Sequence, residues 1–364
     1  MEQEQLISRS IEVIKLNQHP SGGYVASPLF PAYTYSWLRD GTFIANAMDR
    51  VGETQSAEQF YRWVHNVLKD KRSRLDELLR KHANNIWIDR SEFLGTRYHL
   101  DGRDDHSEWG HFQLDGYGAW LWGLVAHIRQ TGNTSLLDEF RTSIEITVDY
   151  VMNFWHYPNF DCWEEYPDYV HPATLACLYG GLNTLGELES RQDLVEKAQF
   201  IRQFIHTHAV HEGRFVKSIH CINEIWQPAL SGVDASLLWL AVPFNVCEAT
   251  DPIMVRTVQT IEAELKHGGI QRYYEDRYYG GGEWLLLTAW YGLVKLEMGD
   301  KEEAQRCLTW IMSKADGLGR FPEQVTDHLR EPGVYAEWTA KHGEPALPLL
   351  WSHAMFLVLS DRLS

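Results

Sequence analysis

Two stretches of this chain are apolar on every side over the length of a helix, Gly118–Ile128 (GAWLWGLVAHI) and Glu283–Leu296 (EWLLLTAWYGLVKL). A helix with no polar face has to be surrounded by other elements. The surrounding pattern is helical too: Ile144, Val148, Val151 and Trp155 recur at the spacing that puts apolar groups on one helix face. Twelve helix starts can be read, near Gln3, Asp40, Gln55, Asp115, Ser135, Pro172, Arg191, Val233, Pro252, Glu283, Lys301 and Ala346. Asn133, Thr134 and Ser135 offer caps to one of them, and Pro252 occupies a favoured first position in another. Twelve helices joined by alternating short and long connections predict six hairpins. The expected fold is therefore all-α: an (α/α)6 barrel with apolar inner helices and amphipathic outer ones. The period fits a helical solenoid equally well, but no sequence repeat supports that alternative.

The segments between helices are long, running roughly over 21–39, 84–114, 158–171, 215–232, 268–282 and 317–345. They carry Trp, Tyr, Asp, Glu, Gly and His rather than Ser and Lys. Ordered loops on a rigid scaffold are where binding and catalysis concentrate. The chain holds 15 Trp, 17 Tyr and 14 Phe. Most must fill the core, but rings in such loops also suit the C–H faces and hydroxyls of sugars. A net charge of −17 repels phosphates and anionic membrane surfaces, so a neutral small molecule is the expected partner, with no nucleic acid and no membrane. The five cysteines are widely spaced, which speaks against a disulfide framework or zinc site. No export signal or apolar run of spanning length is visible, and no linker divides the chain. Residues 1–364 are expected to form a single cytoplasmic catalytic domain, without an accompanying β-sandwich or starch-binding module.

Five clusters could carry chemistry. Glu164 and Glu165, in CWEEYPDY, are paired carboxylates flanked by Trp163 and Tyr166. A carboxyl held against aromatic surface loses hydration and can stay protonated, as a general acid requires. Glu323, in GRFPEQVTD, sits in a turn where it could accept a proton from water, and Glu337, in YAEWT, competes for that role. In YTYSWLRDG, Arg39 and Asp40 offer donors and acceptors for adjacent hydroxyls, or alternatively a helix cap with an ion pair. In EWGHFQLDGYG, Trp109 precedes a glycine and Asp115 suits a helix N-cap. In RYYEDRYYGGGEWLL, Arg272 precedes a glycine-rich bend that lacks the Lys and Ser/Thr of a phosphate loop. Asp101, Asp104 and Asp105 lie near His99, His106 and His111, but their spacing matches no calcium loop and there is no HExxH. No metal and no cofactor is expected. The absence of a GxSxG elbow speaks against a serine triad.

Taken together, YTYSWLRDG, WGHFQLDGYG, CWEEYPD, RYYEDRYYGGGEWLLLTAW, FPEQV and PLLWSHA resemble glycoside hydrolase family 15, the glucoamylase family. They occur in the family's order from Tyr33 to His353. The resemblance implies an inverting exo-acting α-glucosidase on an (α/α)6 barrel. It makes Glu164 the general acid and Glu323 the general base, with Glu337 as second choice. It gives Glu165 a contact to the sugar beyond the scissile bond. Arg39, Asp40 and Arg272 would hold the terminal glucose, and Tyr33, Trp37, Trp109 and Trp351 would wall its pocket. Short α-glucosides such as isomaltose, isomalto-oligosaccharides or maltose are the implied substrates. The alternatives are an α,α-trehalase of the same family, a non-catalytic glucoamylase-like scaffold, or a lyase or epimerase on a similar barrel. The last would need cationic groups for uronic acids, which the acidic balance disfavours.

Overall fold

In a computed structural model that describes residues 1–364, the first half of the chain forms seven α-helices. These are α1 (Gln3–Leu16), α2 (Leu38–Arg50), α3 (Thr54–Leu68), α4 (Arg72–Ala83), α5 (Asp115–Thr131), α6 (Ser135–Glu139) and α7 (Arg141–Phe154). The second half forms α8 (Pro172–Glu189), α9 (Gln192–His208), α10 (Pro252–Leu265), α11 (Leu285–Glu297), α12 (Lys301–Ser313), α13 (Pro332–His342) and α14 (Leu350–Leu363), with a 3-10 helix at Ala235–Leu240.

Six segments close a ring. α2 packs on α5, α5 on α8, α8 on the 3-10 helix, that helix on α11, α11 on α14, and α14 back on α2. A second layer covers each one: α3 lies on α2, α7 on α5, α9 on α8, α10 on the 3-10 helix, α12 on α11 and α1 on α14. This is an (α/α)6 barrel. The two stretches apolar all round are its inner helices α5 and α11, and every residue from Leu285 to Val294 is buried. α5 and α8 cross closely: a Cβ on Gly118 would lie 2.4 Å from the Cys177 backbone, and one on Gly181 would lie 2.4 Å from the Gly118 carbonyl. Only glycine permits that approach.

The helix expected near Val233 is the short 3-10 segment instead. Pro243 stops an α-helix there, because its ring would collide with the carbonyl of Trp239. Asp234 starts the segment by accepting from the Ser236 N–H at 2.8 Å. Three helices lie outside the ring and its covering layer, α4, the five-residue α6 and α13, and α13 falls in a stretch read as loop. Asp251 and Pro252 start α10 as expected, with the Asp251 carboxylate accepting from the Ile253 N–H at 2.8 Å.

Eight short strands pin the loops: β1 (Ser36–Trp37), β2 (Arg97–Tyr98), β3 (Val210–His211), β4 (Arg214–Phe215), β5 (Ser218–Ile222), β6 (Ile225–Leu230), β7 (Glu283–Trp284) and β8 (Gln324–Val325). They pair antiparallel as β1–β2, β3–β4, β5–β6 and β7–β8. The β5–β6 hairpin occupies the expected loop 215–232. β1–β2 joins the start of α2 to the loop before α5, and β7–β8 joins the start of α11 to the loop before α13. The loops at the N-terminal ends of the inner segments thereby converge on one pocket.

Candidate active site

The pocket has a volume of about 740 Å³ and draws its lining from the starts of α2, α11 and α14, from α13 and from the loops between these helices. It is graded from a closed floor to an open mouth. Arg39, Asp40, Arg272, Glu323 and Trp351 at the floor are buried, whereas Glu108 and His342 at the mouth are exposed and Trp109 and Trp338 half-buried. All ten residues singled out as catalytic or substrate-binding line this one cavity: Tyr33, Trp37, Arg39, Asp40, Trp109, Glu164, Glu165, Arg272, Glu323 and Trp351.

The floor is a fixed array of charges. Arg39 Nη1 donates to Gln113 Oε1 at 2.8 Å and to Asp115 Oδ2 at 3.0 Å, and Arg39 Nε lies 3.3 Å from Asp40 Oδ2. Asp115 therefore does not cap α5 as its sequence position suggested. It is the first residue inside the helix, behind Leu114, and its buried carboxylate fixes Arg39. Burial pushes Asp40 up to about 6, against the pull of Arg39. Arg272 donates to both oxygens of Asp276, with the Nε–Oδ2 bond at 2.8 Å, and sits 5.1–5.4 Å from the ring centres of Trp163, Tyr273, Tyr278 and Trp284. Trp351 stacks on Phe43 with ring centres 5.3 Å apart. Glu323 Oε2 and the indole N–H groups of Trp109, Trp284 and Trp351 find no hydrogen-bond partner within the protein, and Arg39 Nε and Asp40 Oδ2 have only each other, as an ion pair. Buried polar groups are costly unpaired, so a polyhydroxylated ligand is the chemistry they suit.

Glu164 rides on a tight turn. Asp161 Oδ1 accepts the N–H groups of Trp163 at 3.0 Å and Glu165 at 2.9 Å, and the Asp161 carbonyl accepts that of Glu164 at 2.9 Å. These bonds hold Glu164 and Tyr166 at φ of 68° and 52°, a left-handed conformation that non-glycine residues adopt only when their surroundings impose it. Glu164 Oε1 then accepts from Trp37 Nε1 at 2.6 Å and Gln113 Nε2 at 3.0 Å. Beneath the turn, Lys217 Nζ lies 2.5 Å from Asp234, 3.6 Å from Asp161 and 3.4 Å from the centre of the Tyr273 ring. Trp163 Nε1 donates to Asp234 at 3.0 Å. Burial pushes Asp161 up to about 6, and also raises Glu165, which accepts from Tyr273 Oη and, at 3.4 Å, from Arg272 Nη2.

Glu323 is built differently. Its N–H donates to the Ala346 carbonyl at 2.9 Å, and the next residue begins β8, where Gln324 pairs with Trp284. Its side chain is only 2 % exposed and sits beside the hydroxyls of Tyr33 and Tyr278, themselves 2.8 Å apart. Burial pushes Glu323 up to about 7. The two tyrosine hydroxyls and Arg272 oppose that rise, and Asp40 adds to it. The sequence placed the desolvated carboxyl in the Glu164–Glu165 pair, yet Glu323 is the one that is almost fully buried. Glu337 is exposed on α13 and does not line the pocket.

Several lining residues were not singled out from the sequence. Phe30, Tyr278, Trp284, Trp338 and His342 all border the cavity. Tyr278 and Trp284 lie inside the segment recognised for Arg272, which was their available signal; nothing in the sequence marked Phe30 or His342. The aspartates near His99 form ion pairs, Asp101 with Arg103 at 2.7 Å, Asp104 with Lys71 at 2.5 Å and Asp105 with Arg97 at 2.6 Å. Arg97 in turn lies 3.6 Å from the centre of the Trp109 ring, so Asp105 helps hold that indole in place.

A helical barrel with a blind pocket lined by carboxyls and indoles is an architecture of glycoside hydrolases. The sequence profile of glycosyl hydrolases family 15 matches residues 2–361, and the chain belongs to this family and is a glycoside hydrolase. Isomaltose glucohydrolase of Kribbella flavida is 38% identical over 99% of the chain and 92% of its own length. A trehalase of Thermoplasma acidophilum is 24% identical over 88% of the chain and 58% of its own length. Among solved structures, a glycosidase in complex with glucose superposes with a TM-score of 0.92 at 37% identity, covering 99% of this chain and 96% of the other. No helix is long and apolar enough to cross a membrane.

Proposed function

We propose that the protein is an inverting exo-α-glucosidase that releases β-glucose from the non-reducing end of short α-glucosides, isomaltose first among them. The observation that carries this reading is the pairing of Glu164 and Glu323 in one blind pocket, in opposite environments. Glu164 Oε1 is occupied by two N–H donors, so a transferable proton belongs on Oε2. Glu164 protonates the glycosidic oxygen as the C1–O bond breaks. Glu323, whose Oε2 has no partner in the protein, takes a proton from a water attacking C1 on the opposite ring face. Room for that water requires carboxyls roughly 6.5–9.5 Å apart. Arg39, Asp40 and Arg272 hold the terminal glucose, Glu165 reaches the sugar beyond the bond, and Tyr33, Trp37, Trp109 and Trp351 form the walls. Positive charge building on the ring at the transition state is stabilised by the surrounding carboxylates.

The similarity to isomaltose glucohydrolase favours α-1,6 linkages, and the closed floor favours an exo-acting enzyme. The more distant similarity to a trehalase keeps α,α-trehalose as the second reading. Residues 1–364 act as one catalytic unit in this account, in the cytoplasm. Glucose release from isomaltose, maltose, maltotriose, trehalose and dextran tests it. Isomaltose is expected to give the highest kcat/KM; no release from any of the five would leave a non-catalytic scaffold.

A further inference from the structure

We infer that Trp338, with His342, forms the outer wall against which the departing sugar rests, and that α13 thereby sets the chain length the enzyme prefers. This inference rests on the exo-glucosidase reading.

The pocket's gradient of burial orders its residues along the substrate. A terminal glucose held by the buried Arg39, Asp40 and Arg272 leaves its neighbour at the half-buried level. Two indoles stand at that level, Trp109 and Trp338, on separate segments of the chain. Each is braced from behind. Trp109 lies under the Arg97 guanidinium, whereas Trp338 meets Tyr278 edge-on with ring centres 5.1 Å apart and Tyr279 at 5.4 Å. Tyr278 is the residue whose hydroxyl flanks Glu323, so Trp338 stands one residue outward from the proposed base. The His342 ring lies 5.1 Å from Trp338, one helical turn further along the same face, and also lines the cavity.

α13 has no role in closing the barrel. Only Val334 is buried along its length, and it packs on the turn at Tyr278–Gly280. That seat is specific. The Glu331 N–H donates to the Gly280 carbonyl at 3.0 Å, Arg277 pairs with Glu331 at 3.2 Å, and a Cβ on Gly280 would come within 2.7 Å of the Glu331 carbonyl. A helix that buries so little apolar surface yet is held so closely at one end is placed for what it presents, and it presents an indole and an imidazole to the cavity. Indole faces stack on the C–H faces of sugar rings. A wall at this position favours a disaccharide and disfavours each further sugar, which would have to pass it.

The experiment compares wild type with Trp338→Ala, Trp338→Phe and His342→Ala on isomaltose, isomaltotriose and isomaltotetraose, with 1-deoxynojirimycin as a probe of the terminal-glucose position alone. Trp338→Ala is expected to lower kcat/KM for isomaltose by about tenfold, mainly through KM, as loss of one aromatic contact implies. The ratio of kcat/KM on isomaltotriose to that on isomaltose should rise by about fivefold or more, the size of a lost aromatic contact. Inhibition by 1-deoxynojirimycin should stay within about twofold of wild type, since the floor is untouched. Trp338→Phe should restore most of the isomaltose activity, and His342→Ala should shift the ratio in the same direction by less. An unchanged length ratio in an active Trp338→Ala enzyme overturns the inference. So does an equal loss of 1-deoxynojirimycin binding, which would mean that Trp338 only props Tyr278. A wild type inactive on all three substrates would instead remove the α-1,6 exo-glucosidase reading on which the inference rests.

Discussion

Glu164 and Glu323 share a pocket but not an environment. Glu164 is half-exposed on a turn whose backbone is held left-handed, and every hydrogen bond to its carboxylate comes from a neutral N–H. Glu323 is buried at the edge of a two-stranded ladder, beside hydroxyls. The first is positioned by geometry and the second tuned by desolvation. Desolvation favours the protonated form of Glu323, so the base role proposed for it belongs to pH above about 7, where the carboxylate is ionised.

The sharpest way to break this comparison is to remove each carboxyl in turn. Glu164→Gln and Glu323→Gln should each lower kcat on isomaltose by about 10²–10⁴-fold. α-Glucosyl fluoride separates them, because fluoride departs without a proton: Glu164→Gln should retain most of its turnover there and Glu323→Gln should not. Equal loss in both variants would dissolve the division of labour.

Stability probes the acid side next. Lys217 is ion-paired with both buried carboxylates beneath the Glu164 turn. Lys217→Met leaves Asp161 and Asp234 unpaired and should destabilise the protein by about 3–5 kcal/mol in chemical denaturation. Its Arg variant should recover part of that loss.

On the base side the sign reverses. Glu323 is pushed up to about 7 in the folded protein, above its ordinary value near 4.5. Its ionisation therefore costs stability as pH rises from about 4.5 to 7, and the full cost applies above that range. Glu323→Gln should raise the melting temperature relative to wild type at pH 8, by up to ~3 kcal/mol of stability, and should gain little near pH 4. A destabilised variant at pH 8 would refute the desolvation account.

A smaller effect concerns the tyrosines. The Tyr278 hydroxyl lowers the Glu323 pKa, so Tyr278→Phe should move the acidic limb of kcat/KM to higher pH. The loss at pH 6 should be about threefold to tenfold, with little change at pH 8. Glu337→Gln should leave kcat within about twofold of wild type, as an exposed substitution outside the pocket would.

The barrel was legible because its inner helices are apolar all round, a pattern with few solutions. Eleven of the twelve predicted starts correspond to ring and cover segments, including the one near Val233 that became a 3-10 helix; the start read at Ser135 opens the short α6, which breaks at Phe140 before the covering helix α7. α13 was invisible for the converse reason: with only Val334 buried, its eleven residues carry no apolar stripe to read. The lining residues recognised from the sequence are those that sit in short runs of aromatic and charged groups. The role of Asp115 was misread because a helix-starting aspartate looks like a cap until the partner 76 residues away, Arg39, is seen beside it. Lys217 gave no signal at all, since its importance comes from Asp161 and Asp234, which are brought to it only by folding.

The central claim is an inverting division of labour between the two carboxyls, and the anomer of the released glucose tests it most directly. Proton NMR in the first minutes of isomaltose hydrolysis should show β-glucose accumulating ahead of mutarotation. Early α-glucose would contradict the account.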